Sequence, residues 1–219
     1  LIEAGFMSTS SDLQNLITPK WRVEFADALS EAISRWQIKD EQQKLLKKEV
    51  FNYPKYGTVG FHPASIPMNR GRHPLVWALA LGLEETATTF FKMDEGADSG
   101  PIISQKKLKI LDTDYALDLY KKMTNQALDQ LAEFLPNLLN GSQQIKKQNH
   151  KEANYWRKRS FEDGIIDWRM SAEVIRNLIR ALSEPYPGAS FFYKKKEYTV
   201  QKAEIVKGCP RNIEPGKIL

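Results

Sequence analysis

The sequence predicts an α/β fold, and three observations carry that prediction. Two short strand-like segments, Gly57–Phe61 and Thr86–Met93, bracket a helix that opens at Pro74 and closes at Gly82. A long stretch, Asp114–Leu139, repeats apolar side chains every three to four residues, the period of an amphipathic helix. Near the end, Ala189–Tyr193 and Glu197–Gln201 are strand-like and joined by Lys194–Lys196, which reads as a β-hairpin. The expected division is a main unit over residues 1–184 and a small β unit over 185–219, parted at Pro185-Tyr186-Pro187-Gly188.

Composition narrows the class. The chain has 219 residues, 42% hydrophobic and 27% charged, which is ordinary for a soluble globular protein with room for a core. Its longest apolar run, Leu75–Leu83, is too short to span a bilayer, and no signal-peptide pattern opens the chain. Cys209 is the single cysteine, which rules out an internal disulfide and fits a reducing, cytoplasmic setting. A net charge of +5 favours anionic ligands such as phosphates without marking a nucleic-acid binder. His62, His73 and His150 lack ligand spacing, so no metal site is expected.

In chain order, Leu1–Phe6 reads as the last turn of a helix stopped by Gly5. Asp12–Ile17 reads as one or two helical turns, and Val23–Ile38 and Glu41–Val50 as amphipathic helices. No Val/Ile-rich run bounded by turns precedes residue 57, so the first half of the α/β fold is expected to be abbreviated. Pro63 and Pro67 then bracket a stiff loop, and Ile102–Ile110 returns as the hairpin partner of Thr86–Met93. Gly141 caps the long helix and Pro136 bends its last turn. A basic connector, Ser142–Ser160, leads to a short strand or turn at Ile165–Trp168. Ser171 N-caps the helix Ala172–Leu182, and Ala203–Val206 is a candidate extra strand. Trp77 and Trp168 read as core residues.

Two titratable groups stand out because each follows a strand. His62 is held by the adjacent proline, and Asp98 lies in an acidic, glycine-rich loop after the next strand. A histidine oriented by an acid can take up a proton near neutral pH. The competing reading is a histidine hydrogen-bonded in a core and an aspartate capping a turn.

The string His62-Pro63-Ala64-Ser65-Ile66-Pro67-Met68-Asn69-Arg70-Gly71-Arg72 resembles the H-P-S-L-L-P-x-x-R-G motif of the folate-dependent formyltransferases. Asp94-Glu95-Gly96-Ala97-Asp98-Ser99-Gly100-Pro101-Ile102 resembles their D-x-G-x-D-x-G-x-I motif. Ala153–Arg159, Asp163–Trp168, Ile179–Leu182 and Pro185–Gly188 resemble segments of methionyl-tRNA and amino-sugar formyltransferases, and the likeness covers about residues 45–206. It implies a Rossmann-type sheet, abbreviated at the N-terminus, and a small C-terminal β-hairpin region. The longer relatives also lead to the expectation of a truncated or internally deleted chain.

The implied reaction moves a formyl group from N10-formyltetrahydrofolate to a primary amine. That chemistry needs a proton acceptor and stabilisation of an oxyanion. The resemblance gives His62 proton removal or oxyanion binding, and has Asp98 orient the imidazole and place the amine. Relatives carry an asparagine two residues before the histidine, where this chain has Gly60; losing such a donor costs about 100-fold or more. Asn69, Ser65 or a water held against Gly60 are the alternative donors. Gly60, Arg70, Asp94 and Gly96 are the expected contacts to the folate donor. Ser65, Arg72, Trp156, Arg157 and Arg159 are the expected contacts to substrate, with the tryptophan stacking a base and the arginines holding a diphosphate. The competing readings are loop bracing for Arg70 and a solvated basic connector for residues 156–159. The implied substrate is a nucleotide-linked amino sugar rather than tRNA, because the small C-terminal piece leaves little surface for tRNA. A homodimer stays open, and no membrane partner is expected.

Overall fold

The computed structural model describes residues 57–208 and 213–217. The expectations for Leu1–Phe6, for the helices at 12–17, 23–38 and 41–50, and for Cys209 lie outside them.

The α/β class is borne out. Strands β1 (Val59–His62), β3 (Glu85–Lys92) and β4 (Ile102–Lys109) form a three-stranded sheet in the order β1-β3-β4. Both pairings are antiparallel, so this part of the sheet does not have the parallel strand ends that a simple strand–helix–strand reading suggests. Lys92 is hydrogen-bonded to Pro101 O, closing β3 and β4 into a hairpin around the acidic loop. β3 is central and covered on both faces, which is why Thr86–Phe91 are all buried without the alternation of a half-exposed strand. β4 alternates instead, and its lysines 106, 107 and 109 keep the outer strand charged.

One face of the sheet carries Phe61 and Phe90, which are cross-strand partners. Against it lies α2 (Ala116–Leu139), whose Phe134 ring is 5.1 Å from that of Phe90. Thr88 and Gln130 sit in the same interface with mutual hydrogen bonds. The threonine hydroxyl donates to Gln130 Oε1 at 2.5 Å, and the amide donates to Thr88 O and Ser104 Oγ. A buried amide here is tolerated because its polar atoms are satisfied. The helix starts two residues after Asp114. That carboxylate is committed to the Leu111 N–H and to Lys122 Nζ, and Asp118 takes the Tyr115 N–H.

α1 (Pro74–Ala80) begins with proline at its first turn and is followed by Gly82 at φ 67°. It packs on α3 (Ala172–Leu182) through Leu75, Val76, Leu79, Ile179 and Leu182, a cluster that also takes in Leu119 and Met123 of α2. Ser171 Oγ accepts the Val174 N–H and caps α3 as expected. Arg180 is buried between α3 and the 111–114 segment, donating to Leu111 O, Asp114 O and Asn177 Oδ1.

Three local expectations change. The terminal hairpin is β6 (Ala189–Tyr193) and β7 (Lys196–Val200), one residue earlier than expected in its second strand. Lys194 and Lys195 both take positive φ, so the turn has two residues rather than three. Residues 203–206 form no strand. Trp168 is 42% exposed, lying edge-on to Phe191 at the surface rather than in the core. The connector also contributes something unanticipated. β5 (Tyr155–Trp156) pairs in parallel with β2 (Arg70–Gly71), tying residues about 85 positions apart.

Candidate active site

The sheet face opposite α2 carries Gly60 and His62, with Phe91 and Thr89 as their partners on β3. His62 ends β1 with its side chain only 5% exposed. Its Nε2 lies 2.7 Å from Asn69 O. A carbonyl only accepts, so Nε2 carries the proton and Nδ1 is the nitrogen left to bind or release one. Nδ1 faces Asp98 Oδ2 at 3.5 Å, within ion-pair range and longer than a good hydrogen bond.

The loop after His62 is pinned from below. Thr89 Oγ1 donates to Ala64 O at 2.7 Å, and Gln105 Nε2 donates to Ile66 O at 2.7 Å and to Thr89 Oγ1 at 2.9 Å. Ala64 and Ile66 are completely buried. Farther along, Asn69 adopts φ 61°, and its N–H donates to Asn154 Oδ1 at 2.6 Å. It is the Asn69 backbone carbonyl, not its amide, that meets the imidazole.

Asp98 reaches His62 by an indirect route. Because β1 and β3 are antiparallel, His62 stands opposite Thr89, three residues back from the end of β3 at Lys92. At roughly 3.3 Å per residue the loop must return about 10 Å along the sheet. Two features fold it back. Asp94 Oδ1 accepts the Gly96 N–H and the Ser99 hydroxyl, a local turn. Gly100 then passes so close to Lys92 O that a Cβ would lie 1.7 Å from it, so only glycine fits. At the tip Asp98 takes φ 52°, its Oδ2 accepts the Gly71 N–H at 2.9 Å, and its carbonyl accepts from Gln148 Nε2 at 2.9 Å.

His62, Asn69 and Asp98 are therefore brought together. Gly60 lies on the same strand face, but a Cβ there would fall 2.6 Å from Phe91 Cζ: the ring fills the space into which a side chain at position 60 would extend. Ser65 and Arg72 are half-buried on the same loop, and the Arg72 N–H donates to Trp156 O. Gly96 is exposed at the bend of the acidic loop.

Of its two readings, Arg70 takes that of a loop brace rather than that of a folate contact. It is 1% exposed, with Nε and Nη2 on Gln148 Oε1, Nη1 on Tyr155 Oη and Nη2 also on His150 Nδ1. A guanidinium so enclosed braces the loop and presents no face to a carboxylate of a ligand. Asp94 is likewise engaged within its own loop.

The basic segment also rearranges the expectation. The ring that its arginines lie over is Trp77, half-buried on α1, whereas Trp156 packs against the α1–α3 core. Arg157 lies 5.3 Å and Arg159 6.0 Å from the Trp77 ring centre, and Trp77 Nε1 donates to Arg157 O. Arg157 also grips both oxygens of Asp163. That guanidinium, with help from the Ser160 N–H, holds the Asp163 carboxyl far below the usual carboxylate range. Burial beside Trp77 pulls the Arg159 guanidinium down from its ordinary value.

Sequence reasoning missed Gln148, which is 7% exposed and links Arg70 to the Asp98 loop. No periodicity marks it. The only signal was an amide within a charged connector. Among the described residues there is no cluster of three metal-ligating side chains and no helix long and apolar enough to cross a membrane.

The sequence profile described as formyl transferase matches residues 24–135, half of the chain, and that described as formyl transferase, C-terminal domain, matches residues 158–219. The methionyl-tRNA formyltransferase from Clostridium thermocellum is similar in structure, with a TM-score of 0.63 at 26% identity, over 77% of this chain and 71% of that one. The N-formyltransferase from Helicobacter canadensis, described with folinic acid and dTDP-3-aminofucose, has a TM-score of 0.61 at 22% identity, over 71% of this chain and 57% of that one. A 4-N formyltransferase from Francisella tularensis gives 0.63 at 22% identity, over 75% and 69%. The last two likenesses establish the fold alone.

Proposed function

Because the chain belongs to the formyl transferase family, we propose that it transfers a formyl group from N10-formyltetrahydrofolate to the primary amine of a nucleotide-linked amino sugar. The observation that carries this reading is the His62–Asp98 pair, two groups 36 positions apart brought to 3.5 Å by two separately pinned loops. When bound, the donor supplies an electrophilic formyl carbon for the amine to attack. Of the residues expected to hold it, Arg70 and Asp94 are committed to partners within the protein.

The roles of the chain's own groups follow from their surroundings. Asp98 is the more exposed half of the pair, at 20% against 5%, so it is the half that meets an incoming ammonium and orients it. A proton leaving the amine is taken up between Asp98 Oδ2 and His62 Nδ1, because Nε2 already carries one toward Asn69 O. The Asn69 carbonyl and the Ala64 and Ile66 anchors keep the ring from rotating. The amino-sugar assignment draws on the Asn69–Pro74 loop and the Tyr155–Arg159 segment. For this reading the surface that meets a nucleotide diphosphate is Trp77 with Arg159, beside an exposed Arg157 whose charge is shared with Asp163.

The experiment incubates the protein with the formyl donor and either nucleotide-linked amino sugars or charged methionyl-tRNA, following release of tetrahydrofolate. Turnover with a sugar is expected; turnover with the tRNA alone overturns the substrate assignment. Gly60 favours a second reading, because the Phe91 ring excludes a side-chain donor beside the histidine. On that reading the protein binds a nucleotide sugar without formylating it, and calorimetric binding with no tetrahydrofolate release selects it.

A further inference from the structure

We infer that Gln148 is a positioning residue for the Asp98 carboxylate, coupling the buried Arg70 guanidinium to the backbone of the acidic loop. Its kinetic consequence rests on the formyl-transfer reading, whereas its structural consequence does not.

The chemistry around Gln148 admits one orientation of one kind of side chain. On one side Arg70 presents Nε and Nη2 at 3.2 and 2.6 Å, and a guanidinium only donates, so the facing atom is the amide oxygen. On the other side stand two carbonyls, Asp98 O at 2.9 Å and Gly100 O at 2.6 Å, which only accept, so the facing group is the NH2. A primary amide meets both demands. A carboxylate of the same shape keeps the Arg70 contacts and turns an oxygen toward two carbonyl oxygens.

The tether acts where the loop needs it. Asp98 is a non-glycine residue at φ 52°, a conformation that persists when its surroundings hold it. Gln148 grips the carbonyls of Asp98 and Gly100, on either side of Ser99. The Gly71 N–H donates separately to the Asp98 carboxylate, at 2.9 Å. Gly71 is fixed in its turn: it pairs with Trp156 in the β2–β5 ladder, and a Cβ on it would lie 2.3 Å from Trp156 O. Arg70 and Gly71 are consecutive, so one short strand anchors the tether and receives the carboxylate. Releasing the Gln148 end frees the loop tip while leaving the sheet and its helices in place.

The test compares the wild type with Gln148→Glu, and with Gln148→Met as a second variant of similar length lacking polar atoms. Amide hydrogen exchange at Gly71 reads whether the Asp98 carboxylate still sits on it, with β3 amides as the internal reference for the intact sheet. The same samples are assayed for formyl transfer. In Gln148→Glu, Gly71 exchange is expected to rise about tenfold or more while β3 protection is kept. The kcat is expected to fall by about 100-fold with KM for the amine changed far less, since misplacement acts on the reacting geometry. Unchanged Gly71 protection in whichever variant folds overturns the inference. So does normal kcat with a deprotected Gly71, because the position of Asp98 would then be irrelevant to the rate. A wild-type protein without formyl transfer, whose Gly71 still responds to Gln148→Glu, overturns the formyl-transfer reading and leaves the tether standing.

Discussion

Replacing Gly60 with alanine tests whether the Phe91 ring closes the space beside His62. An added Cβ would lie 2.6, 2.9 and 3.1 Å from Cζ, Cε1 and Cε2 of a ring that is only 4% exposed. Relieving those contacts requires the ring to move within packed surroundings, and overpacking of this kind costs about 1–3 kcal/mol. Removing a glycine from a strand offsets roughly 0.5–1 kcal/mol of that, through the lower entropy of the unfolded chain. The expected net is a loss of about 1–2 kcal/mol in urea unfolding, against the slight gain that an unobstructed strand would show. Phe91→Leu shortens the obstacle, so in the double variant the clash disappears. The two changes should couple favourably by about 1–2 kcal/mol, since they remove one shared contact. A Gly60→Ala variant at least as stable as the wild type, or a double variant additive to within about 0.5 kcal/mol, refutes the argument.

Two further outcomes follow from individual contacts. Thr89→Val removes the hydroxyl that holds Ala64 O and accepts from Gln105, which should cost about 1–2 kcal/mol in chemical denaturation and lower kcat through a looser His62 loop; an unchanged stability counts against the pinning role. Asp163→Asn removes a carboxyl whose folded-state pKa is depressed chiefly by Arg157. A depressed value gives stability that is present above the unfolded pKa near 3.9 and is lost as the pH falls toward the folded value, so wild type and variant should differ at neutral pH and draw together progressively as the pH falls from about 4. Arg157 is 63% exposed, so the difference should stay within about 1 kcal/mol. A gap that widened on acidification would contradict the pairing.

What was legible in the sequence was what a short window contains. The α3 boundary follows from Ser171 and the apolar spacing after it, and the Ser171 Oγ bond to the Val174 N–H sits where the cap rule puts it. His62 and Asp98 were visible as strand-end residues, and the family likeness joined them. The long-range pairings were not visible. A two-residue parallel ladder between Arg70-Gly71 and Tyr155-Trp156 leaves no periodicity, because two residues are too few to show an alternation. Without that ladder Arg70 reads equally as a ligand contact or as a loop brace. With it, Gln148, Tyr155 and His150 enclose the guanidinium. Trp168 is illegible for a related reason: apolar character alone does not tell a buried ring from one lying on an exposed hairpin.

The most direct measurement of the central claim is the formyl-transfer rate of His62→Ala, Asp98→Ala and their double variant under saturating donor and amine. If the two residues act as one proton-accepting unit, each single change lowers kcat by about 10²–10⁴-fold, and the double variant is little slower than the slower single. Either single variant retaining the wild-type rate, or a double variant slower by the product of the two effects, would contradict it.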